Sequence, residues 1–375
     1  MVLALLMQNN GFHLLFSSIN ILTISHGLPL LVFYMKWNFR KPCVVINMEL
    51  LIMKSTLKLA CVLLSFPLII SCVSKKEEIQ LKNQSNQQNE ETKKMEYLEK
   101  YQIRNEIAFD CPKEVSEQRS DVKLGKVEHV KYHSNTCNME RAFSILLPAS
   151  YDGTKKYPVI YFQHGIFGDE NCMINDDNNK FRQITANLAA DGLAKEVIMV
   201  FGHMYASSDP NLKPGFSSEA VLPYDNFINE LVNDIMPYIE KNYAVLTGRE
   251  NTAVCGFSMG GRESIFIGLQ RSDLFGYIGA IAPAPGLVPA KDWAMSHEGQ
   301  LAVEDMKFVE SNPLPKLFMI CCGTNDGTVG QFPKSYHKIF NDNGVEHLWF
   351  EIMSADHNSV AIRGGFYQFM LRVFQ

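Results

Sequence analysis

The chain has 375 residues, of which 46% are hydrophobic and 20% are charged. That content is enough to bury a large core and excludes a chain that is disordered throughout. The 35 Lys and Arg residues are outnumbered by 40 Asp and Glu residues, so there is no basic excess for binding nucleic acid. The nine cysteines form neither a CxxC pair nor the Cys and His spacing of a zinc site. We therefore expect no nucleic-acid partner and no metal.

The N-terminal part predicts a leader rather than a folded domain. Reading from Met53, the chain has a lysine-containing start, the apolar run Leu59–Ile70 and then Cys72, which resembles the lipobox of a bacterial lipoprotein signal. We expect residues 1–52 to lie upstream of the true start, residues 53–71 to be a signal peptide, and Cys72 to be lipidated. The alternatives are a true membrane span within the first segment, or an uncleaved anchor with an incidental cysteine.

Residues 72–100 are rich in Lys, Glu, Gln and Asn and nearly free of aromatic side chains. That composition is typical of a flexible tether, because it offers too little apolar surface to pack into a core. The sequence thus predicts an exported bacterial lipoprotein, attached to the outer or cytoplasmic membrane through Cys72 and facing the periplasm or the cell surface.

Residues 101–375 alternate short apolar runs with amphipathic stretches, which predicts one α/β domain with a mostly parallel central sheet and helices on both faces. The expected helices include Asp225–Tyr243 and a closing helix, Val360–Val373. On such a sheet, chemistry takes place at the carboxyl ends of the strands. The expected strands are Ala142–Leu147, Val159–Gln163, Val197–Phe201, Thr252–Cys255, Tyr277–Ala282, Leu317–Cys322 and His347–Ile352.

The segment Gly256–Gly261 reads GFSMGG and lies between a predicted strand and a predicted helix. A GxSxG pattern in that place predicts a strained turn that projects the serine hydroxyl into a cleft, with glycines that let strand and helix approach closely. Ser258 is therefore the candidate nucleophile. The alternative is a structural turn whose serine only caps the following helix.

A serine hydroxyl is a poor nucleophile at neutral pH, so it needs a base, and the base needs an acid to hold it. His357 is the candidate base because it lies on a loop after the last predicted strand. Asp326 is the candidate acid because it follows the preceding parallel strand. Asp356, directly before the histidine, is the alternative.

The segment His164–Gly168 follows a further strand and is typical of an oxyanion loop. We expect the backbone N–H groups of Ile166 and Met259 to bind the developing oxyanion, with Phe167 as the alternative to Ile166. His164 is included among the candidate substrate-binding residues, although bracing of the loop is favoured for it over proton transfer.

These segments, in this order, resemble the esterase D-like branch of the α/β-hydrolases, which holds feruloyl and acetylxylan esterases. The resemblance extends over roughly Phe143–Phe374 and takes in the triad, the run Phe257–Gly261 and the segment Tyr238–Tyr243. It implies an α/β-hydrolase fold and hydrolysis of feruloyl or acetyl esters on plant cell-wall polysaccharide such as xylan. It also implies the same Ser, His and Asp triad, an acyl-enzyme and no cofactor.

Two loops that should wall the acyl pocket, His203–Pro223 and Pro285–Pro313, match this family less well. Tyr205 in the first loop and Trp293 in the second are candidate substrate-binding residues. Trp293 and the other apolar residues of the second loop either line a pocket or only pack the insertion onto the domain. A real aromatic pocket favours hydroxycinnamoyl over acetyl esters.

The rival function on the same fold is another carboxylesterase or an acyltransferase, such as a siderophore esterase or a thioesterase of the S-formylglutathione hydrolase type. A non-catalytic glycan-binding protein is the alternative from another class. Because an exported domain meets an oxidising compartment, a disulfide between Cys137 and Cys172 is left open.

Overall fold

The computed structural model describes residues 103–375 and three short strands near the N terminus. Chain contacts divide the protein into two units, residues 1–90 and residues 91–375. In the first unit, three strands pair antiparallel in the order β2-β1-β3: β1 (Val2–Gln8), β2 (Gly11–Phe16) and β3 (Val45–Asn47). The predicted signal peptide, Cys72 and the tether all lie outside the described residues.

The second unit is built on a nine-stranded sheet of order β4-β14-β13-β10-β9-β7-β8-β6-β5. Strand β6 pairs antiparallel with β5 and β8, and the other pairings of this sheet are parallel. Its strands are β4 (Ile107–Ala108), β5 (Lys126–Ser134), β6 (Met139–Leu147), β7 (Val159–Gln163), β8 (Ile198–Gly202), β9 (Thr252–Phe257), β10 (Tyr277–Ile281), β13 (Leu317–Gly323) and β14 (Leu348–Ile352). A small hairpin, β11 (Ala290–Lys291) and β12 (Ser296–His297), lies in the insertion between β10 and β13.

The helices connect these strands. They are α1 (Lys113–Ser116), α2 (Cys172–Asn175), α3 (Phe181–Ala190), α4 (Ser218–Asp225), α5 (Phe227–Glu230), α6 (Met236–Asn242), α7 (Met259–Gln270), α8 (Gln331–Asp342) and α9 (Ser359–Met370). A π-helical segment, Leu231–Ile235, joins α5 to α6, so the predicted single helix Asp225–Tyr243 is interrupted. Within the described parts of the chain, no helix is both long and apolar enough to cross a bilayer.

Alternate residues of the strands pack into two cores, one on each face of the sheet. On β7, Val159 and Tyr161 belong to one core, and Ile160 and Phe162 belong to the other, as the two-residue period of a strand requires. Residues of α4–α8 complete the first core, and residues of α3 and α9 complete the second. The predicted α/β fold with helices on both faces is confirmed.

All of the predicted strands are present, with small shifts at their ends. Strand β5 was not predicted from the sequence, because this edge strand reads KVEHVKYHS and most of its side chains are at least partly exposed. An edge strand with charged side chains avoids pairing with other chains, and it carries no apolar run for a pattern search to find.

The open question of a disulfide between Cys137 and Cys172 is answered in the negative. Both cysteines are free, Cys137 buried and Cys172 exposed. The Cys137 thiol lies 3.3 Å from a Glu230 carboxylate oxygen, and the Cys172 thiol lies 3.1 Å from the Asp169 carbonyl oxygen. Each thiol therefore has a local partner of its own.

Candidate active site

Ser258 lies on the turn between β9 and α7, with φ 56° and ψ −117°. This left-handed backbone costs a non-glycine residue about 1 kcal/mol or more. Backbone hydrogen bonds hold it: the Ser258 N–H donates to Ile281 O at 3.0 Å, and its carbonyl accepts from the N–H groups of Arg262 and Ala284, both at 3.0 Å. The strained turn is thus fixed from the end of β10 and from the helix that follows.

Two glycines make this turn sterically possible. A Cβ on Gly256 would lie 2.3 Å from Gly260 O, and a Cβ on Gly260 would lie 2.3 Å from Gln163 O. Both distances are far inside van der Waals contact with backbone atoms, so no side chain fits at either position. Strand β7, strand β9 and helix α7 meet here because the sequence supplies glycine.

Ser258, His357 and Asp326 form a continuous hydrogen-bonded path. His357 Nε2 lies 2.9 Å from Ser258 Oγ, and His357 Nδ1 lies 2.9 Å from Asp326 Oδ2. The serine is buried to within a few per cent, and the aspartate side chain is fully buried. The structure therefore brings the three predicted residues together at hydrogen-bonding distance.

The Asp326 carboxylate is held in its charged form. Its Oδ1 accepts the N–H groups of Thr328 at 3.0 Å and Val329 at 2.9 Å. Burial favours the neutral acid, but the hydrogen bonds from His357 and these N–H groups outweigh it and hold the pKa of Asp326 below its usual value. An ionised carboxylate at this position keeps the proton on His357 Nδ1 and leaves Nε2 free to accept one.

Asp356, the alternative acid, faces the backbone instead of the imidazole. Its Oδ1 accepts the N–H of His357 at 2.7 Å and that of Gly327 at 3.4 Å. It thereby shapes the histidine loop, while the Phe257 ring packs on the His357 ring with centroids 4.5 Å apart. The geometry favours Asp326 over Asp356 as the partner of the imidazole.

The predicted oxyanion loop, His164–Gly168, is a tight turn packed on the serine. The Gly168 N–H donates to Gly165 O at 3.2 Å, and a Cβ on Gly165 would lie 3.4 Å from Ser258 Cβ. The Phe167 N–H is occupied, since it donates to the Tyr224 hydroxyl at 3.0 Å. In the described part of the chain, the Ile166 N–H has no such partner. This difference favours Ile166 over Phe167 as the first donor.

The second expected donor, the Met259 N–H, belongs to the first turn of α7. N–H groups in the first turn of a helix have no acceptor within the helix, and they point along the positive end of its dipole. The Met259 N–H is thus suited to an anion beside Ser258.

His164 is buried, and both of its ring nitrogens have partners within the protein. Nε2 accepts the Met204 N–H at 2.9 Å, and Nδ1 lies 2.7 Å from Gly165 O, so Nδ1 carries the proton. Burial lowers the pKa of His164 to about 4, which keeps the ring neutral. The expectation of a substrate contact is therefore corrected, because His164 has no free polar atom and acts as a brace between two strand ends.

Tyr205 also requires correction. Its side chain is buried and its hydroxyl has no partner among the described residues. The ring packs edge-on against Tyr224, with centroids 5.1 Å apart, and Arg141 donates to the Tyr205 carbonyl at 2.9 Å. These contacts place the Tyr205 ring in the first core, packed beside Tyr224.

Trp293 lies in the turn of the β11–β12 hairpin and is 74% exposed. Its ring contacts Phe216 with centroids 5.3 Å apart, and Phe216 contacts Phe167 at 5.2 Å. We call these three exposed rings the aromatic rim. It begins on the oxyanion loop itself. By contrast, Met306 of the same insertion is fully buried and packs the insertion onto the domain.

The chain matches the sequence model of a known protein family. The family model described as "Putative esterase" matches residues 134–335, which is more than half of the chain and includes Ser258 and Asp326. The chain belongs to this esterase family. The predicted resemblance to feruloyl and acetylxylan esterases is thereby confirmed in its broad form.

Solved structures extend the comparison. A CE1 ferulic acid esterase from Anaeromyces mucronatus, solved in complex with ferulic acid, is 45% identical to this esterase with a TM-score of 0.68, over 72% of this chain and 98% of that chain. The feruloyl esterase module from Clostridium thermocellum, complexed with sinapinate, is 16% identical with a TM-score of 0.53, over 71% and 93% of the two chains. The second likeness shows the shared fold.

A curated relative is the endo-1,4-beta-xylanase/feruloyl esterase of Xylanibacter ruminicola. It is 30% identical over 169 residues, which are 44% of this esterase and 22% of the relative. The chain therefore spans about a fifth of that relative's length.

Sequence reasoning missed a buried ionic cluster behind the serine. Arg262 of α7 pairs with Asp225 at the end of α4 and with its neighbour Glu263. The Gln300 amide, from the insertion, donates to Asp225 at 3.2 Å and to Glu263 at 3.1 Å. The only signal in the sequence is a charged pair inside the otherwise apolar helix MGGRESIFIGLQ. Within the described residues, no group of three or more potential ligands is placed to hold a metal.

Proposed function

We propose that this esterase hydrolyses hydroxycinnamoyl esters, feruloyl esters above all, of plant cell-wall polysaccharide. The observation that carries the proposal is the path from Ser258 through His357 to Asp326, with both links at 2.9 Å. This arrangement is the one that lets a hydroxyl act as a nucleophile at neutral pH.

In the proposed reaction, Ser258 Oγ attacks the ester carbonyl carbon as its proton passes to His357 Nε2. The carbonyl oxygen becomes an oxyanion, which the N–H groups of Ile166 and Met259 stabilise, each by about 3 kcal/mol. The C–O bond to the sugar then breaks, and the sugar oxygen takes the proton from His357. Water loses a proton to the same imidazole and attacks the acyl-enzyme. The bond to Ser258 Oγ then breaks, His357 returns the proton to Oγ, and the carboxylic acid leaves.

The aromatic rim supports an aromatic acyl group over acetate. Phe167, Phe216 and Trp293 are 55%, 46% and 74% exposed, so they present ring surface to solvent in a chain of contacts that starts at Phe167 on the oxyanion loop. Stacking or edge contacts with an aromatic ring are worth about 1 kcal/mol each beyond area burial, and a methyl group cannot make them. The relative from Anaeromyces mucronatus that holds ferulic acid is consistent with this preference.

The test compares substrates on one protein. We expect kcat/KM of the purified full chain to be higher for feruloylated arabinoxylan than for acetylated xylan, and methyl ferulate to be hydrolysed without an added metal. An equal or higher value for acetylated xylan would replace this proposal with an acetyl esterase. A folded chain that neither hydrolyses any of these esters nor reacts with a fluorophosphonate would instead favour a glycan-binding protein.

We also propose that the chain is exported and lipid-anchored through Cys72. The support is the sequence from Met53 onward, a lysine-containing start and an apolar run before the cysteine. Cells expressing the chain should incorporate labelled palmitate into it, and Cys72→Ala should abolish both labelling and processing. Cys61→Ala, inside the apolar run, is the matched control and should remain labelled. A mature N terminus mapped upstream of Met53 would refute the proposal.

A further inference from the structure

The buried hydroxyl of Tyr224 contacts the oxyanion loop. The Tyr224 hydroxyl accepts the N–H of Phe167 at 3.0 Å, and the Tyr224 side chain is fully buried. No other hydrogen bond from Phe167 N–H is present among the described residues. The loop peptide between Ile166 and Phe167 is thus fixed by a residue 57 positions away in the chain.

The Ile166–Phe167 peptide determines which type of β-turn the loop forms. Gly165 and Gly168 close a four-residue turn, and its third residue, Phe167, has φ +65°. A positive φ at this position is the mark of a type II turn, which usually needs glycine or asparagine there. Type I and type II turns differ by a flip of the central peptide. Phenylalanine by itself favours the type I form, so the type II form needs outside support.

Tyr224 is also linked to Ser258 through helix α7. It is the penultimate residue of α4, and the last residue, Asp225, forms an ion pair with the buried Arg262 of α7. The Arg262 N–H in turn donates to Ser258 O at 3.0 Å. The segment that fixes the oxyanion loop is therefore anchored on the helix that carries the second expected donor, Met259.

We propose that Tyr224 is a positioning residue of the oxyanion hole: its hydroxyl holds the Ile166–Phe167 peptide in the type II orientation and thereby fixes the loop backbone next to the Ile166 N–H, the proposed first donor. The inference rests on the proposed esterase function. Without the hydroxyl, the turn relaxes toward negative φ at Phe167, and the peptide dipole beside the donor reverses. The cost falls on the transition state, where the oxyanion exists, and not on ester binding.

The experiment compares Tyr224→Phe with Tyr205→Phe in the full chain. The two rings pack on each other, and each change removes one buried hydroxyl, but the Tyr205 hydroxyl has no partner among the described residues. With p-nitrophenyl acetate, whose acetyl group offers no aromatic acyl ring to the rim, we expect kcat of Tyr224→Phe to fall about tenfold with KM within about twofold. The pH profile should be unchanged, and Tyr205→Phe should keep wild-type kcat.

A kcat for Tyr224→Phe within about twofold of wild type, a loss that falls only on KM, or an equal loss in Tyr205→Phe would overturn the proposal. If wild-type protein itself has no esterase activity, the proposed function fails, which is a separate result. If Tyr224→Phe does not fold, the same turn is tested at exposed Phe167. Both variants lose the ring, so only their ratio is compared: Phe167→Gly, which accepts positive φ, should have a kcat about tenfold above that of Phe167→Val, which resists it. Equal kcat in these two variants would overturn the proposal.

Discussion

The floor of the cleft, formed by Ser258, His357 and Asp326, and the aromatic rim are held by different kinds of contact. On the floor, Ser258, His357 and Asp326 are mostly buried, and hydrogen bonds at about 2.9 Å fix each side chain. On the rim, Phe216 and Trp293 are exposed and are held through edge-on ring contacts with centroids more than 5 Å apart. Directional bonds define one geometry, whereas ring contacts tolerate several.

This contrast separates chemistry from recognition. Changes on the floor should alter kcat, because hydrogen bonds there act on charge that develops in the transition state. Changes on the rim should alter KM, because ring contacts bind substrate and transition state alike. The following variants test that separation from the largest expected effect to the smallest.

Ser258→Ala should lower kcat on methyl ferulate by about 10⁴-fold or more, because no other group can form the acyl-enzyme. Its thermal midpoint should stay close to wild type, since the change removes one oxygen atom from a turn that backbone bonds hold. Steady-state kinetics and thermal melting check both points. A folded variant with more than a tenth of wild-type kcat would contradict the assignment of the nucleophile.

Asp326→Asn should lower kcat by about 10³-fold or more, because an amide in place of the carboxylate favours the wrong tautomer of His357. Asp356→Asn is the matched control, since its carboxylate bonds backbone N–H groups only. It should retain most of its kcat. The opposite ranking of the two variants would move the acid to Asp356.

His164, the buried brace between two strand ends, should make the free energy of unfolding depend on pH. Its pKa is lowered by burial from 6.5 to about 4. Below pH 6.5, His164 therefore binds a proton more readily in the unfolded chain than in the folded chain. The stability that this neutral ring gives is complete above pH 6.5 and is lost as the pH falls from 6.5 to about 4, by up to about 3 kcal/mol.

Denaturant unfolding of wild type and His164→Asn between pH 7 and pH 4 checks this dependence. The free energy of unfolding should fall more steeply in wild type, because groups other than His164 titrate alike in both proteins. Parallel curves for the two proteins would show that His164 is not the group responsible.

Trp293→Ala should raise KM for methyl ferulate about fivefold, the equivalent of roughly 1 kcal/mol of ring contact, and leave kcat within about twofold. Hydrolysis of acetylated xylan, which carries no aromatic group, should be unaffected. Leu314→Ala is the matched control, since Leu314 is equally exposed but precedes β13, at the amino end of the sheet. A loss of kcat in Trp293→Ala would contradict this separation, because the rim would then also affect the positions of Ser258, His357 and Asp326.

The sequence by itself determined the sheet and the floor of the cleft. Short β-rich apolar runs predicted the buried strands, and the order of GFSMGG, Asp326 and His357 after three strand ends placed them at one edge. Such features are readable because they depend on local backbone geometry: glycine where a Cβ would strike a carbonyl, and a polar residue where a buried strand ends. The exposed edge strand β5 and the π-helical break before α6 gave no comparable local signal.

Only the tertiary structure decided what surrounds the floor. His164 and Tyr205 are polar loop residues that read as substrate contacts, yet burial turns one into a brace and the other into packing. Tyr224 looks like an ordinary helical residue, but it reaches the oxyanion loop because α4 is docked on α7 through Asp225 and Arg262. The physical reason is distance along the chain: contacts between residues tens of positions apart depend on how helices dock, and no local pattern records that.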